Sequence, residues 1–235
     1  INDAIDGTIT LNDVTVALSG STADVKAALA GTFAVAYSGN VTLSDANSAN
    51  IAAADINTIA GDTSGTVTVT NNINITGNSD VIATAVGNVD TFSGTPTATL
   101  GDAHTLAELK AINDAIDGTI TLNDYSVALS GSAADIKAAL AGTFASTYTG
   151  NVTITDANLA NVAAADISTI AGATNGTVTV SNNINLTGNS DVIATAVGNV
   201  DTFSGTPTAT LGDAHTLAEL KAINDAIDGT ITLND

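Results

Sequence analysis

An internal repeat of 111 residues is the feature that most constrains this chain. The 235-residue sequence contains residues 1–111, a copy over residues 112–222 that differs at 16 positions, and residues 223–235, which match residues 1–13 without change. Near-identical tandem copies are typical of repeat proteins, in which each unit buries its apolar face against its neighbour. We therefore predict a first long repeat, a second one and the beginning of a third, all in one continuous solenoid. We also expect the chain to be a segment of a longer array.

Composition limits what can fill the core of such a repeat. Apolar residues make up 44% of the chain, but aromatic residues make up only 3%, and Trp, Met and Cys are absent. The core must therefore be built from Ala, Val, Ile and Leu, whose small or branched side chains suit narrow, regular layers. The absence of cysteine also excludes a disulfide scaffold and thiolate metal sites.

The charge balance excludes one class of partner. The chain has 24 acidic residues against four lysines, no arginine, and a formal net charge of −20. Nucleic acid is excluded as a partner, because phosphate binding needs Lys and Arg side chains. No apolar stretch approaches the length of a membrane span, so we expect a chain that does not cross a membrane. An acidic surface suits an extracellular or cell-surface setting, where cations screen the self-repulsion.

Short strand-like runs that follow a glycine mark a finer repeat inside each long repeat. Each run alternates Thr or Asn with Ile, Val or Leu, as a half-buried strand does, apart from the proline-containing fourth run. The spacing of roughly 24–32 residues lies in the range of solenoid coils. The pattern predicts an α/β solenoid of stacked strand-plus-short-helix coils with a parallel β ladder, four coils per 111-residue repeat. The runs begin at Gly7, Gly39, Gly65 and Gly94, then at Gly118, Gly150, Gly176 and Gly205, and a ninth begins at Gly229.

Segments with helical spacing lie between these runs. Apolar residues recur at i, i+3 or i+4, and two of the segments begin close to a capping box, Ser21 with Asp24 and Thr105 with Glu108. Helices this short need packing against a strand layer to be stable. The first copy predicts helices over residues 21–29, 53–59, 79–86 and 105–112.

The coils are predicted to alternate in content. Strand-like runs at residues 14–18 and 73–76 precede the helices of the first and third coils, whereas turn residues occupy 45–48 and 101–104 in the second and fourth. Pro96 and Pro207 stand second in their strand runs. Because proline removes a ladder donor, these strands are expected to begin late.

Acidic residues that follow the strands are candidate metal ligands. Carboxylates and amides at stacked turns are the hard oxygen ligands that Ca²⁺ prefers. The alternative is that these residues are ordinary turn formers and helix caps. The glycine-rich nonapeptide of calcium-binding β-rolls is missing. The candidate calcium ligands are Asp13, Asp45, Asp102, Asp124, Asp156 and Asp213.

Threonines at alternate positions of the runs form a candidate ligand face. Stacked outward threonines would present a flat array of methyl and hydroxyl groups, as in ice-binding β-solenoids. The alternative is that threonine occupies outward strand positions because of its β propensity. Asn40 and Asn151 interrupt the pattern. The candidate face consists of Thr8, Thr10, Thr66, Thr68, Thr119, Thr121, Thr177 and Thr179.

No catalytic residues are legible, so the sequence predicts a protein that is not an enzyme. His104 and His215 stand alone at equivalent positions before a helix start, which favours a surface or capping role. A Ser/His/Asp set would need partners that only folding could bring together.

The coil pattern, Gly-Thr-hydrophobic-Thr-hydrophobic followed by a turn and Ala-Asp/Glu-hydrophobic-x-x-Ala/Ile, resembles the repeats of giant secreted surface proteins of bacteria and cyanobacteria. These Ala/Thr/Asp-rich regions include adhesin-like ones, and the likeness covers the whole chain as a loose pattern. It implies an extracellular structural role, often with calcium, and carries over no catalytic residues. We expect an adhesin stalk or a building block of an extracellular filament or sheath. Its partners would be further repeats, or copies that associate end to end or laterally. A ligand-binding solenoid for ice or polysaccharide is the alternative.

Overall fold

A computed structural model describes residues 7–234 of the chain. The chain folds as an α/β protein with two compact units. The first comprises Ile1–His104, Ala111–Asn123 and Gly142–Ala145, and the second comprises Thr105–Lys110, Asp124–Ala141 and Ser146–Asp235.

Helices occur at every segment for which helical spacing was found. Each helix of the first copy recurs in the second copy at the equivalent residues, and each is only two to three turns long. Some of these helices begin at a side-chain N-cap. The Ser21 hydroxyl accepts a hydrogen bond from the Asp24 amide, and the Ser132 hydroxyl accepts one from the Asp135 amide. Within the described residues the helices are α1 Thr22–Leu29, α2 Ala53–Asp62, α3 Ser79–Gly87, α4 Leu106–Ala115, α5 Ala133–Leu140, α6 Ala164–Ala173, α7 Ser190–Gly198 and α8 Leu217–Ala226.

The strands are two to four residues long and all of their pairings are parallel. In the first unit they are β1 Leu18–Gly20, β2 Val41–Leu43, β3 Asn50–Ala52, β4 Val67–Val69, β5 Asn74–Gly77, β6 Thr91–Phe92, β7 Thr97–Leu100 and β8 Ile120–Thr121. In the second unit they are β9 Leu129–Gly131, β10 Val152–Ile154, β11 Asn161–Ala163, β12 Val178–Val180, β13 Asn185–Gly188, β14 Thr202–Phe203, β15 Thr208–Leu211 and β16 Ile231–Thr232.

Within residues 7–234, each unit contains two four-stranded sheets. In the first unit the strand orders are β1-β2-β4-β6 and β3-β5-β7-β8, and in the second unit they are β9-β10-β12-β14 and β11-β13-β15-β16. A typical segment of chain therefore runs through a strand of one sheet, a strand of the other sheet and then a helix. Several pairs of successive helices pack together, as α1 does with α2 and α6 with α7.

The core has the aliphatic composition that the sequence requires. Val41 and Leu43 of β2 are buried, while Thr42 between them is half-buried on the outer face. Helix α6 buries one stripe, Ala164, Ile167 and Ile170, against the neighbouring strands and helices. The helix itself packs against α5 on one side and α7 on the other, and against strands β11 and β13.

The strand pairing corrects the single ladder predicted from the sequence. In the first unit, the runs after Gly39 and Gly65 form β2 and β4 of one sheet, but the runs after Gly94 and Gly118 form β7 and β8 of the other. Paired residues on neighbouring strands are 22–26 positions apart, as in Ala98 with Ile120 and Val41 with Val67. One turn of the chain is therefore shorter than the longest spacings between the strand-leading glycines. The physical reason is that a second strand lies between most helices, and its pairing partner was not visible locally.

Other details were also predicted wrongly. Residues 14–18 form no strand except at Leu18, where β1 begins, and the run after Gly7 makes only an isolated bridge from Ile9 to Phe33. The second coil does contain a second strand, β3. The prolines act as predicted, because β7 begins directly after Pro96 and β15 directly after Pro207. Among residues 7–234, no helix is long and apolar enough to cross a membrane.

Two buried tyrosines are features that sequence reasoning missed. Tyr148 is 1% exposed, and its hydroxyl donates to the Val127 carbonyl oxygen at 2.5 Å. Its equivalent Tyr37 is also buried and donates to the Val16 carbonyl oxygen. Burial, with a smaller effect of the Asp124 charge, raises the pKa of Tyr148 far above its ordinary value, and burial with the Asp13 charge raises the pKa of Tyr37.

These raised pKa values predict a loss of stability in alkali. The unfolded chain releases the tyrosine protons near pH 10, about the ordinary pKa of tyrosine, whereas the folded chain retains them. The free energy of unfolding should therefore be unaffected by these groups below about pH 10 and should fall as the pH rises beyond it. Urea unfolding at several alkaline pH values measures the slope. Tyr148→Phe should reduce that slope, and an unchanged slope would contradict the assignment.

Candidate functional site

Four of the six candidate calcium ligands lie at helix N-termini. Each aspartate accepts a hydrogen bond from the backbone amide of the first residue of a helix that precedes it by 23 residues. Asp102 and Asp213 accept from the Ser79 and Ser190 amides at 2.7 Å. Asp156 accepts from the Ala133 amide at 2.8 Å. Asp45 accepts from both the amide and the hydroxyl of Thr22, at 3.0 Å and 2.6 Å.

These four aspartates therefore cap helices across a turn of the chain. The first amides of a helix have no partner within the helix, and the positive end of the helix dipole favours a carboxylate there. The sequence analysis gave helix capping as the alternative to metal binding. The structure shows that each of these aspartates caps the helix that begins 23 residues before it in the chain. No local signal could identify that helix, because the two groups are 23 residues apart.

Removing one cap measures what the contact contributes. Asp156→Ala should lower the free energy of unfolding by about 1–2 kcal/mol, because the Ala133 amide loses its partner at a partly buried helix start. Asp117→Ala is the matched control. Asp117 is exposed and makes no hydrogen bond within the described part of the chain, so its removal should change stability little. Thermal and urea unfolding of both variants gives the comparison, and equal effects would refute the capping role.

The other two candidate ligands lie in local turns. Asp13 accepts hydrogen bonds from the Thr15 amide and hydroxyl, at 2.8 Å and 2.6 Å, and Asp124 does the same with Ser126 at 2.8 Å and 2.7 Å. The hydrogen bond from the Thr15 hydroxyl, followed by that from its amide, lowers the pKa of Asp13. Both aspartates are exposed.

The structure does not gather these carboxylates into one centre. Within residues 7–234 no three His, Cys, Asp or Glu side chains lie close enough together to hold a metal ion. A calcium ion takes six to eight oxygen ligands, which backbone carbonyls and water can also supply. Calcium binding therefore stays a prediction.

The candidate threonine face is divided between sheets. Thr68 lies on β4 and Thr121 lies on β8, which belong to different sheets of the first unit, and Thr179 lies on β12 of the second unit. Thr66, Thr119 and Thr177 stand just before their strands. Thr8 and Thr10 flank the isolated bridge of Ile9 and are exposed.

The outer face of the β1-β2-β4-β6 sheet carries a continuous hydroxyl column. Ser19 pairs with Thr42, Thr42 with Thr68, and Thr68 with Thr91, so the four side chains occupy neighbouring strands. The equivalent column in the second unit consists of Ser130, Thr153, Thr179 and Thr202. Within the described residues the hydroxyls of these columns make no hydrogen bond to other protein groups.

The outer face of the other sheet is bonded to itself. Asn74 donates to the Asn50 side-chain oxygen at 2.8 Å and accepts from the hydroxyls of Thr97 and Thr99, both at 3.1 Å. Asn185 makes the same set of bonds with Asn161, Thr208 and Thr210, at 2.8, 3.0 and 3.2 Å. These polar groups stabilise neighbouring strands and are occupied in doing so. The two sheets therefore differ in how freely their outer hydroxyls can contact a ligand.

The remaining charged residues that the structure describes make contacts at helix starts and between helices. His104 is buried, which contradicts the surface alternative of its predicted surface or capping role, and its equivalent His215 is half-buried. Lys26 and Lys137 make ion pairs of 2.5 Å with Asp55 and Asp166, each 29 residues later. Glu219 completes the capping box of α8, and the Thr216 amide is the main cause of its lowered pKa. These contacts join one helix to the next or complete its own start.

Comparison with protein families, with curated proteins and with solved structures finds no match to this chain.

Proposed function

We propose that this chain is a structural repeat segment of an extracellular surface protein. In this proposal each 111-residue repeat adds four strand-plus-helix coils to one solenoid, and the solenoid serves as an adhesin stalk or as a building block of a filament or sheath. The chain has no catalytic role in this proposal. The resemblance to the repeats of secreted bacterial surface proteins supports the setting, and the structure supports the architecture as follows.

The observation that carries the proposal is the recurrence of the same contacts between turns in both copies. The cap that Asp45 forms on the Thr22 amide recurs as the cap that Asp156 forms on the Ala133 amide. The Val67 amide donates to the Asp90 carboxylate, and the Val178 amide donates to Asp201 in the same way, both at 2.7 Å. Each contact joins one turn to the next. A chain whose turns make identical contacts can be lengthened by adding turns without redesign of the core.

Small-angle scattering tests the proposal. A chain extended by one further copy of residues 112–222 is compared with the original at high dilution. For a solenoid, the radius of gyration should rise by roughly one half, in proportion to length. For a compact particle it should rise by only about one sixth, because compact proteins follow a power law near 0.38. The smaller increase would reject the stalk or filament role.

The free hydroxyl column supports a second candidate, a ligand-binding solenoid for ice or polysaccharide. The hydroxyls of Ser19, Thr42, Thr68 and Thr91 follow one another at the strand spacing of about 4.8 Å. Regularly spaced hydroxyl groups can match a repeating hydroxyl or water lattice.

This second candidate is tested by thermal hysteresis and by retention on insoluble polysaccharides. A positive result should be lost in Thr68→Tyr, where the ring covers the column. It should persist in Thr84→Val, on the exposed face of helix α3. Absence of both activities in the original chain would remove this candidate.

A further inference from the structure

Equivalent residues of the two copies differ in how far they are covered. Leu106 is half-buried, whereas Leu217, which has the same neighbours in sequence, is 85% exposed. Leu122 is 4% exposed, whereas its equivalent Leu233 is 40% exposed. Because the sequences around these positions are identical, the difference arises from what lies next to them and not from the residues themselves.

The structure identifies what covers the buried copy. Leu106 lies directly over Gly131 of β9, since a Cβ atom added at Gly131 would overlap the Leu106 Cδ2 atom. Both residues belong to the second unit. Gly131 is equivalent to Gly20 of β1. The cover for Leu217 is therefore a turn that contains a residue equivalent to Gly20, which a following repeat of the same chain or a second copy of the chain would provide.

Backbone pairing leads to the same partner. Ile120 pairs with Ala98 on one side and with Phe144 on the other. Of its two equivalents, Ile231 pairs with Ala209 and Ile9 pairs with Phe33. Among the described residues, each of these equivalents thus has one of the two neighbours that Ile120 has. The backbone edge of Ile231 that faces away from Ala209 is therefore the one to which a residue equivalent to Phe33 would pair.

We propose that two copies of this chain associate head to tail, with helix α8 and residues 229–233 of one copy packed against β1, α1 and Phe33 of the next. The proposal deepens the proposed function, on which it rests, by naming the self-associating surface and its partner. Leu217 would then lie over Gly20, as Leu106 lies over Gly131.

The repeated 13-residue segment makes this joint feasible. Residues 7–12 and 229–234 have the same sequence, so these residues of one copy's tail and of the next copy's head compete for the same place. Exchange of one for the other conserves the contacts with Phe33, because the residues that make them are identical. Burial of Leu217 and Leu233 is then gained in addition, and this gain opposes the loss of translational and rotational freedom on association.

Two variants of the full chain block opposite ends of the joint. Leu217→Asp places a charge where Leu217 would be buried, and it is tolerated in the single chain because aspartate is favourable in the first turn of a helix. Gly20→Val acts on the other end. An added Cβ at Gly20 has its nearest neighbours at 3.8 Å, which is ordinary contact, but in the joint it would overlap Leu217 as described for Gly131. Leu159→Asp is the matched control, because Leu159 is also exposed, at 76%, and its φ of 63° suits aspartate.

Sedimentation velocity over a wide concentration range is the measurement, with circular dichroism to verify that each variant is folded. The original chain and Leu159→Asp should form oligomers that grow with concentration. Leu217→Asp and Gly20→Val should each associate roughly tenfold or more weakly. An equimolar mixture of these two variants should form a dimer and nothing larger, because one copy retains an intact tail and the other an intact head.

The proposal is overturned if the original chain stays monomeric, if Leu217→Asp associates like the control, or if the mixture forms no dimer. Association that survives both substitutions would indicate lateral packing instead. These outcomes are independent of the scattering result for the lengthened chain. A rod that does not self-associate would reject the head-to-tail joint and leave the structural role in place.

Discussion

Gly176→Ala is expected to destabilise the protein by about 3 kcal/mol, because it forces a methyl group between two turns of backbone. A Cβ added at Gly176 would overlap the Gly150 carbonyl oxygen and lie 2.5 Å from its carbonyl carbon and 2.8 Å from the Asn151 nitrogen. Backbone atoms cannot rotate away as a side chain can. The hydroxyl of Thr174 also bonds both glycines, donating to the Gly150 oxygen at 2.7 Å and accepting from the Gly176 amide at 2.9 Å.

Gly172→Ala is the matched control for this substitution. Gly172 lies four residues earlier, inside helix α6, and an added Cβ would have no atom within 4 Å. Alanine should stabilise this helix by about 0.5–1 kcal/mol, because it removes conformational freedom from the unfolded chain. Urea unfolding of the two variants should thus show changes of opposite sign. Similar changes would mean that the close approach of the turns does not limit stability.

Ile167→Ala should lower the free energy of unfolding by about 2–5 kcal/mol. Ile167 is fully buried on α6, which packs against α5, α7, β11 and β13. The lost methyl and methylene groups leave a cavity that short, closely spaced elements cannot easily close. Few aromatic side chains are available to fill it, since aromatic residues make up only 3% of the chain.

Ile167→Val and Leu159→Ala separate cavity formation from a general loss of apolar surface. Valine at position 167 should cost about 0.5–1.5 kcal/mol. Alanine at position 159 should cost little, because Leu159 is mostly exposed. Chemical unfolding of the three variants checks this order, and a cost at Leu159 comparable to that at Ile167 would contradict the core assignment.

The local elements were largely predictable from the sequence. The i, i+3 and i+4 spacing of apolar residues located every helix, and the alternation around Thr42 and Thr68 located β2 and β4 with their inner and outer faces. The late start of β7 after Pro96 was also predictable. These features depend on residues within one turn of helix or a few residues of strand, so the local pattern contains the necessary information.

The candidate site was predictable only in part. Aspartates at the turns were recognised as ligands or caps, but the helix that Asp102 caps could not be named. The outward threonines were recognised, but their division between two sheets was not, because the fourth glycine-led run pairs with β5 instead of β4. The bonds of Asn74 to Asn50, Thr97 and Thr99 had no signal at all, since an outward asparagine is equally compatible with a turn.

The sequence by itself determined that the chain repeats, that its core is aliphatic, and where its helices and most of its inner strand faces lie. These properties depend on composition and on periodicity, which act over short distances along the chain. Only the tertiary structure decided which strands pair and which helix each aspartate caps. It also explains why glycine precedes so many strands. Those contacts join residues more than 20 positions apart, as with Asp156 and Ala133. Short strands with similar sequences have several compatible partners, and the packing of whole turns selects among them.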